Sequence, residues 1–378
     1  MKWYSNPAAR DFETTEDVRE LAAFHASLPQ YAPTPLTECA LLAEELGVAK
    51  VYVKDESARM GMPSFKILGA SWAVFRVLSA RLAAQQPDVQ QPTTLAQLKE
   101  RLAAGTQARL VAATDGNHGR AVAHMANLLG LPAAIFVPSG VSGAAVTAIE
   151  SENATVTRIE GPYDEAVAAA KEAGAQPHSL LIQDTAWPGY TEVPGWIVEG
   201  YSSLYGEIDA QLADAGTVPD VVVTPVGVGS LILASVVHSR SRGAAHPSLL
   251  SVEPETAACV LASLHSGQLM TVPTVVSSMN GLNCGTPSTV AWPILLAGID
   301  AAVAVSEEQT ARAVRDLERL GFDSGPCGAA SLAGIRVALA SPESRARMGV
   351  TAASTIVLVS TESRAANPLP TATPPGDE

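Results

Sequence analysis

The stretch Val221-Val-Val-Thr-Pro-Val-Gly-Val-Gly-Ser-Leu-Ile-Leu-Ala-Ser-Val-Val237 decides the fold. It opens on an unbroken apolar run of the kind a buried strand shows. It then passes through Gly227 and Gly229 and resumes as an apolar helical run from Leu231. Strand, glycine loop and helix in succession is the unit of a parallel α/β sheet. The alternation recurs on both sides. Upstream, Val111 to Thr114, Ala134 to Val137, Thr155 to Ile159 and Leu180 to Gln183 read as short buried strands. A helix over Asn117 to Leu129 carries Val122, Met125 and Leu128/Leu129 at helical spacing, and Gly130 and Pro132 stop it. Downstream, Val221 to Val226, Leu249 to Glu253, Ala301 to Val305 and Thr355 to Val359 form a second group of strands. Ser306 and Gln309 make a capping box ahead of the stripe Val314, Leu317 and Leu320, and Gly321 closes that helix. Two groups of strands predict an α/β protein of two lobes with a cleft between them. Gln85 to Thr94 reads as a surface connection, and Pro-rich Asn367 to Glu378 as a disordered tail.

Length and composition fit this outline. At ~150 residues per domain, 378 residues make two or three domains. A chain 47% hydrophobic and 16% charged has material for a core, which excludes global disorder. A formal net charge of −14 repels phosphate backbones and anionic lipid, so neither nucleic acid nor a membrane surface is expected as partner. Cys39, Cys259, Cys284 and Cys327 include no Cys-x-x-Cys pair, hence neither a zinc knuckle nor a disulfide framework is expected. The opening Met-Lys-Trp-Tyr-Ser lacks a signal-peptide layout, and Pro225, Gly227 and Gly229 cut the richest apolar stretch. A soluble cytoplasmic protein is the expectation.

Three loops carry chemistry. The first runs from Lys54-Asp-Glu-Ser57 to Phe65-Lys66, just ahead of an apolar helical run. An amine in the first turn of a helix, beside Phe65 and Ile67, loses its proton more easily, and a neutral amine forms a Schiff base with an aldehyde. The second is Thr114-Asp-Gly-Asn-His-Gly119, a small-residue loop at a helix start suited to a carboxylate or phosphate. The third, Gly227-Val-Gly-Ser230, can cradle a phosphate with backbone N–H groups and the Ser230 hydroxyl. Each has a plainer reading: Lys66 as a solvated lysine, Asn117 as a helix cap, Asp115 as a turn residue, the glycines as a turn. His118 and His124, six residues apart, do not share a helix face, so no metal pair is expected. Neither a dinucleotide fingerprint nor a triphosphate loop occurs, which favours a cofactor with one phosphate. Jointly the loops supply what pyridoxal phosphate needs: a lysine, a phosphate cup and a polar loop.

At these residues the chain resembles the fold-type II pyridoxal-phosphate family of threonine dehydratases and tryptophan synthase β chains, and within it the diaminopropionate ammonia-lyase group. The resemblance runs from Tyr31-Ala-Pro-Thr-Pro-Leu36 to Thr361-Glu362. Asp115 in the second loop and the segment Gln183-Asp-Thr-Ala-Trp-Pro-Gly-Tyr190 mark the ammonia-lyase group, and Gly281-Leu-Asn-Cys-Gly285 continues the match. Pro326 and Cys327 stand where an acidic and a small polar residue are expected.

The resemblance implies a two-lobed open-sheet fold with the cofactor in the cleft, a large domain of residues 1–68 and 188–366, and a small one of 69–187. It implies that Lys66 holds the cofactor as a Schiff base and then acts as a base on the α-carbon. Asn117 would contact the ring 3-oxygen, Phe65 would lie beside the cofactor, and Gly227, Val228, Gly229 and Ser230 would bind the phosphate. Thr361 or its neighbour Ser360 would meet the pyridine nitrogen. Asp115 and Asp184 would be catalytic carboxylates, attractive to a substrate β-ammonium, with Asp115 able to serve the D-enantiomer. The implied reaction is β-elimination of 2,3-diaminopropionate to aminoacrylate, which hydrolyses to pyruvate and a second ammonia. No metal is implied, and a homodimer is. The alternatives are a serine or threonine dehydratase, an eliminase of another β-substituted alanine, and a non-catalytic cofactor binder. Cys284 and Cys327 are expected to be packed thiols outside the chemistry.

Overall fold

A computed structural model describes residues 3–15, 19–103, 105, 107–161, 163–241 and 246–369. In chain order its strands are β1 (Trp3–Ser5), β2 (Leu36–Glu38), β3 (Lys50–Asp55), β4 (Arg109–Ala113), β5 (Ala133–Pro138), β6 (Thr155–Ile159), β7 (Ser179–Leu181), β8 (Val221–Pro225), β9 (Ser248–Pro254), β10 (Ala301–Val305) and β11 (Thr355–Ser360). They form two sheets. The larger has the order β1-β10-β9-β8-β11-β3-β2, and the smaller β6-β5-β4-β7. All pairs of the smaller sheet are parallel. In the larger sheet the five inner strands are parallel and only the edge strands β1 and β2 run antiparallel.

Every residue of β8, β9, β10 and β11 is buried, as parallel strands covered on both faces require. The eight strands expected from the sequence are present, two of them with the expected bounds and the others with ends shifted by at most two residues. β1, β2 and β3 were not anticipated: two are only three residues long, and β3 runs directly into the Lys54–Ser57 motif. The capping box forms as expected, with Ser306 Oγ accepting from Gln309 N and Gln309 Oε1 from Ser306 N.

Both sheets change winding direction at one pair of neighbouring strands, β8 and β11 in the larger and β4 and β7 in the smaller. At such a point the loops leaving the carboxyl ends diverge and open a crevice. The loops after these four strands carry Gly227–Ser230, Thr361, Asp115–Asn117 and Asp184.

Two expectations need correction. The Lys66–Gln85 helix is long and apolar enough to cross a bilayer by length and composition, which the apolar-stretch reading passed over. In the fold it is a core helix packed against the Asn117–Leu129 and Glu192–Asp214 helices. The tail expected from Asn367 onward is not free at its start: Asn367 is buried and its amide donates to Ser278 O at 2.7 Å. Residues 370–378 of that tail lie outside the described residues.

Candidate active site

A cavity of about 840 Å³ lies where the loops of the two sheets face each other. Lys66 is the first residue of its helix, and two features fix it there. The preceding loop is stitched to the chain leaving β11, with Phe65 N donating to Thr361 O and Ser363 N to Pro63 O. Lys66 Nζ donates to Asp184 Oδ2 at 2.8 Å and stands 5.5 Å from the Phe65 ring centre. Burial pushes the ammonium toward losing its proton, but Asp184 outweighs this and raises its pKa. The expectation of an easily deprotonated amine is thereby corrected: a carboxylate 118 residues away governs the proton, not the helix terminus. Burial opposes the charge of Asp184 too, yet Lys66 and His118 hold its pKa down to about 2.

Asp115 also lines the cavity. Its side chain is open to water within the cleft but enclosed by protein beyond it. Desolvation first and the Asp184 charge second push its pKa up to about 7, against the pull of Lys66. Capping of the following helix falls to Thr114, whose Oγ1 accepts from Gly116 N and Gly119 N, both at 2.9 Å. Asn117 is therefore released from that role, and its Nδ2 donates to Glu362 Oε2 at 2.8 Å, a partner the sequence did not reveal. His118 is buried, its Nε2 against Ile182 O at 2.7 Å and its Nδ1 3.9 Å from Asp184 Oδ2. Burial keeps its pKa low, so it stays neutral.

The fit of this cavity to pyridoxal phosphate rests on two observations. Thr361 Oγ1 is buried in the cavity wall without a hydrogen-bond partner among the described residues, whereas Ser360 Oγ donates to Ser324 Oγ at 2.8 Å. A free hydroxyl is what a neutral ring nitrogen needs. The second observation is the glycine cup. A Cβ on Gly227 would lie 3.0 Å from Gly281 O, and Gly229, at φ +98°, would place one 2.6 Å from Leu295 Cδ1. Only glycine passes here, and the Ser230–Arg240 helix begins immediately after with its unpaired first-turn N–H groups. Val228 lines the same loop. The Ser230 hydroxyl, expected as a phosphate donor, lines the cavity beside the cup and donates to Asp184 O at 3.3 Å.

Sequence reasoning missed Tyr163, Tyr201, Glu362 and Asn367, all in the cavity wall. Glu362 accepts from Asn117, from Cys327 N and from Asn367 Nδ2. Its position after Thr361 was the available signal; for the others there was none. Cys284 and Cys327, expected as bystanders, both line the cavity. Burial pushes the Cys284 thiol up to about 12, so both it and Cys327, also shifted upward by burial, remain protonated.

The pyridoxal-phosphate dependent enzyme family matches residues 28–362. The diaminopropionate ammonia-lyase of Salmonella typhimurium is 32% identical, over 96% of this chain and 92% of that protein. The enzyme of the same name from Escherichia coli K12 is 36% identical over 72% of this chain and 67% of its own length. A crystal structure of Escherichia coli diaminopropionate ammonia-lyase in complex with D-serine superposes with a TM-score of 0.85 at 28% identity, covering 96% of this chain and 94% of that one. Sequence kinship along nearly the whole chain thus agrees with the lysine, the cup and the free hydroxyl, and this chain belongs to the pyridoxal-phosphate-dependent enzymes of fold type II, in the diaminopropionate ammonia-lyase group.

Proposed function

We propose that the protein eliminates ammonia from 2,3-diaminopropionate, in both the L and D forms, giving pyruvate and two ammonia per substrate. The observation that carries the substrate choice is the charge around Lys66. Its one ammonium faces Asp184 at 2.8 Å with Asp115 alongside, while His118 is neutral. A cleft with carboxylates in excess attracts a substrate bearing two ammonium groups, and a hydroxyamino acid would gain nothing from it.

Pyridoxal phosphate, when bound, supplies the electron sink that makes the substrate α-proton acidic. Gly227, Val228, Gly229 and Ser230 would hold its phosphate, Thr361 its ring nitrogen and Asn117 its 3-oxygen, with Phe65 beside it. Lys66 would hold the cofactor, and whenever its amine is free Asp184 pairs with it and favours its charged form. A substrate β-ammonium arriving at Asp184 competes for that carboxylate and so eases the proton off Lys66. The freed amine then takes the α-proton of the L form. Asp115, poised near neutrality, takes that of the D form and can return a proton to the departing amine. We propose further that residues 1–68 with 188–366 and residues 69–187 act as two lobes, and that the enzyme works as a cytoplasmic homodimer.

The test is to load the purified protein with pyridoxal phosphate and offer L- and D-2,3-diaminopropionate, serine and threonine, measuring keto acid and ammonia. Diaminopropionate is expected to turn over fastest with two ammonia per pyruvate. Faster serine or threonine turnover would make the protein a dehydratase. A visible, borohydride-reducible adduct on Lys66 without any turnover would make it a cofactor binder.

A further inference from the structure

The Lys66–Gln85 and Glu192–Asp214 helices cross with their backbones in contact. A Cβ on Gly69 would stand 2.5 Å from Tyr201 Cε1 and 2.7 Å from Ile197 O, and one on Gly200 would stand 2.5 Å from Leu68 O. Two glycines, one turn beyond Lys66 and one residue before Tyr201, thus bring the tyrosine against the first turn that bears the lysine. The Phe65 ring packs edge-on against the Tyr201 ring, with centroids 4.8 Å apart and planes at 62°. Packing on both sides leaves the ring one orientation.

That orientation puts a polar group where packing has no use for one. Tyr201 is fully buried, lines the cavity, and its hydroxyl makes no hydrogen bond among the described residues. Phenylalanine would fill the same space without stranding a hydroxyl. We propose that Tyr201 is a positioning residue for Lys66, its hydroxyl being the second anchor, with Asp184, of the amine. The inference rests on the reading of Lys66 as the base for the L form. When the amine is free, Asp184 Oδ2 accepts one N–H of its ammonium. Once a substrate ammonium draws on Asp184, the Tyr201 oxygen accepts an N–H of the amine and turns its lone pair toward the substrate. No proton passes to or from Tyr201. Burial pushes its own pKa up to about 12, against the pull of the Lys66 charge.

Tyr201→Phe keeps the ring and removes the hydroxyl. In the pyridoxal-phosphate-loaded enzyme the variant is expected to retain the borohydride-reducible adduct on Lys66 and the wild-type urea midpoint. Its kcat on L-2,3-diaminopropionate should fall tenfold or more, and its α-deuterium isotope effect should rise, because proton removal becomes slower relative to other steps. A kcat and isotope effect within twofold of wild type would overturn the inference. Site-specific 3-fluorotyrosine at 201, which acidifies the phenol without moving the ring, is the second probe: the pH profile of L turnover should shift, and an unmoved profile overturns the inference as well. Absence of the Lys66 adduct in the wild-type enzyme would refute the proposed function instead, and this inference with it.

Discussion

Replacing Glu207 by glutamine removes one of two carboxylates from a buried cluster that holds two cations. Lys54 Nζ donates to Glu207 Oε2 at 2.7 Å, and Arg59 reaches Glu207 through Nη1 at 2.7 Å and Nη2 at 2.8 Å. Arg59 is also paired with Glu56, Nε to Oε2 at 2.8 Å and Nη2 to Oε1 at 2.6 Å. Lys54, Glu56 and Arg59 are inaccessible to solvent and Glu207 is 7% exposed. Glu207→Gln leaves two cations on one carboxylate, an uncompensated buried charge that costs about 3–5 kcal/mol. Adding Lys54→Met restores neutrality, with Arg59 against Glu56. The double variant is therefore expected to regain roughly half of the loss, although it differs from wild type at one more buried site. Urea unfolding followed by fluorescence and far-ultraviolet circular dichroism of the three variants measures this. Losses that simply add, with the double variant the least stable, would refute charge balance as the governing factor. The pH sign follows from the same pairs. Burial raises the Glu207 pKa, but Arg59 and Lys54 outweigh it and hold it below the usual carboxylate value. The stabilisation is thus present above about pH 4.3 and lost as pH falls through the lowered folded value.

D-diaminopropionate turnover should follow ionisation of Asp115, whose pKa is pushed up to about 7, and so fall roughly tenfold between pH 8 and pH 6; a limb that survives Asp115→Asn refutes the assignment. Gly200→Ala forces a Cβ to 2.5 Å from Leu68 O, where only backbone can yield. A loss of about 1–3 kcal/mol by urea unfolding is expected, and an unchanged midpoint would deny the helix contact. Thr361→Val should leave the cofactor-free protein as stable as before, since the hydroxyl has no protein partner, while pyridoxal phosphate binds about threefold to tenfold more weakly. Equal binding would move the ring nitrogen to another group.

Local patterning was enough for strands β4 to β11, the Asn117–Leu129 helix and the capping box at Ser306, because each is built from neighbours whose spacing is written in order along the chain. Lys66, the Gly227–Gly229 cup and the Thr114–Asn117 loop were legible for the same reason: loop chemistry at a helix start depends on a handful of adjacent residues. The protonation of Lys66 was not. A helix N-terminus and apolar neighbours favour the free amine, but Asp184, brought in from β7's exit, reverses the sign at 2.8 Å.

Long-range contacts decided the remainder. Asn117 was read as a cap or a ring contact, and the fold gives the cap to Thr114 and adds Glu362, 245 residues further on, as the amide's partner. Lys54, Glu56, Arg59 and Glu207 are of residue types that are mostly solvated, and their burial together comes from the fold closing over them. Nothing in the sequence singles out Tyr201, and the backbone crossing at Gly69 and Gly200 is what packs its ring against the turn that bears the lysine. The amino-acid order by itself determined which segments form strands and helices and which loops carry chemical groups, because those depend on periodicity and nearest neighbours. Tertiary structure alone decided which charges face one another and which protons they hold, because electrostatic energy depends on distance through space and on exclusion of water, and neither is encoded in separation along the chain.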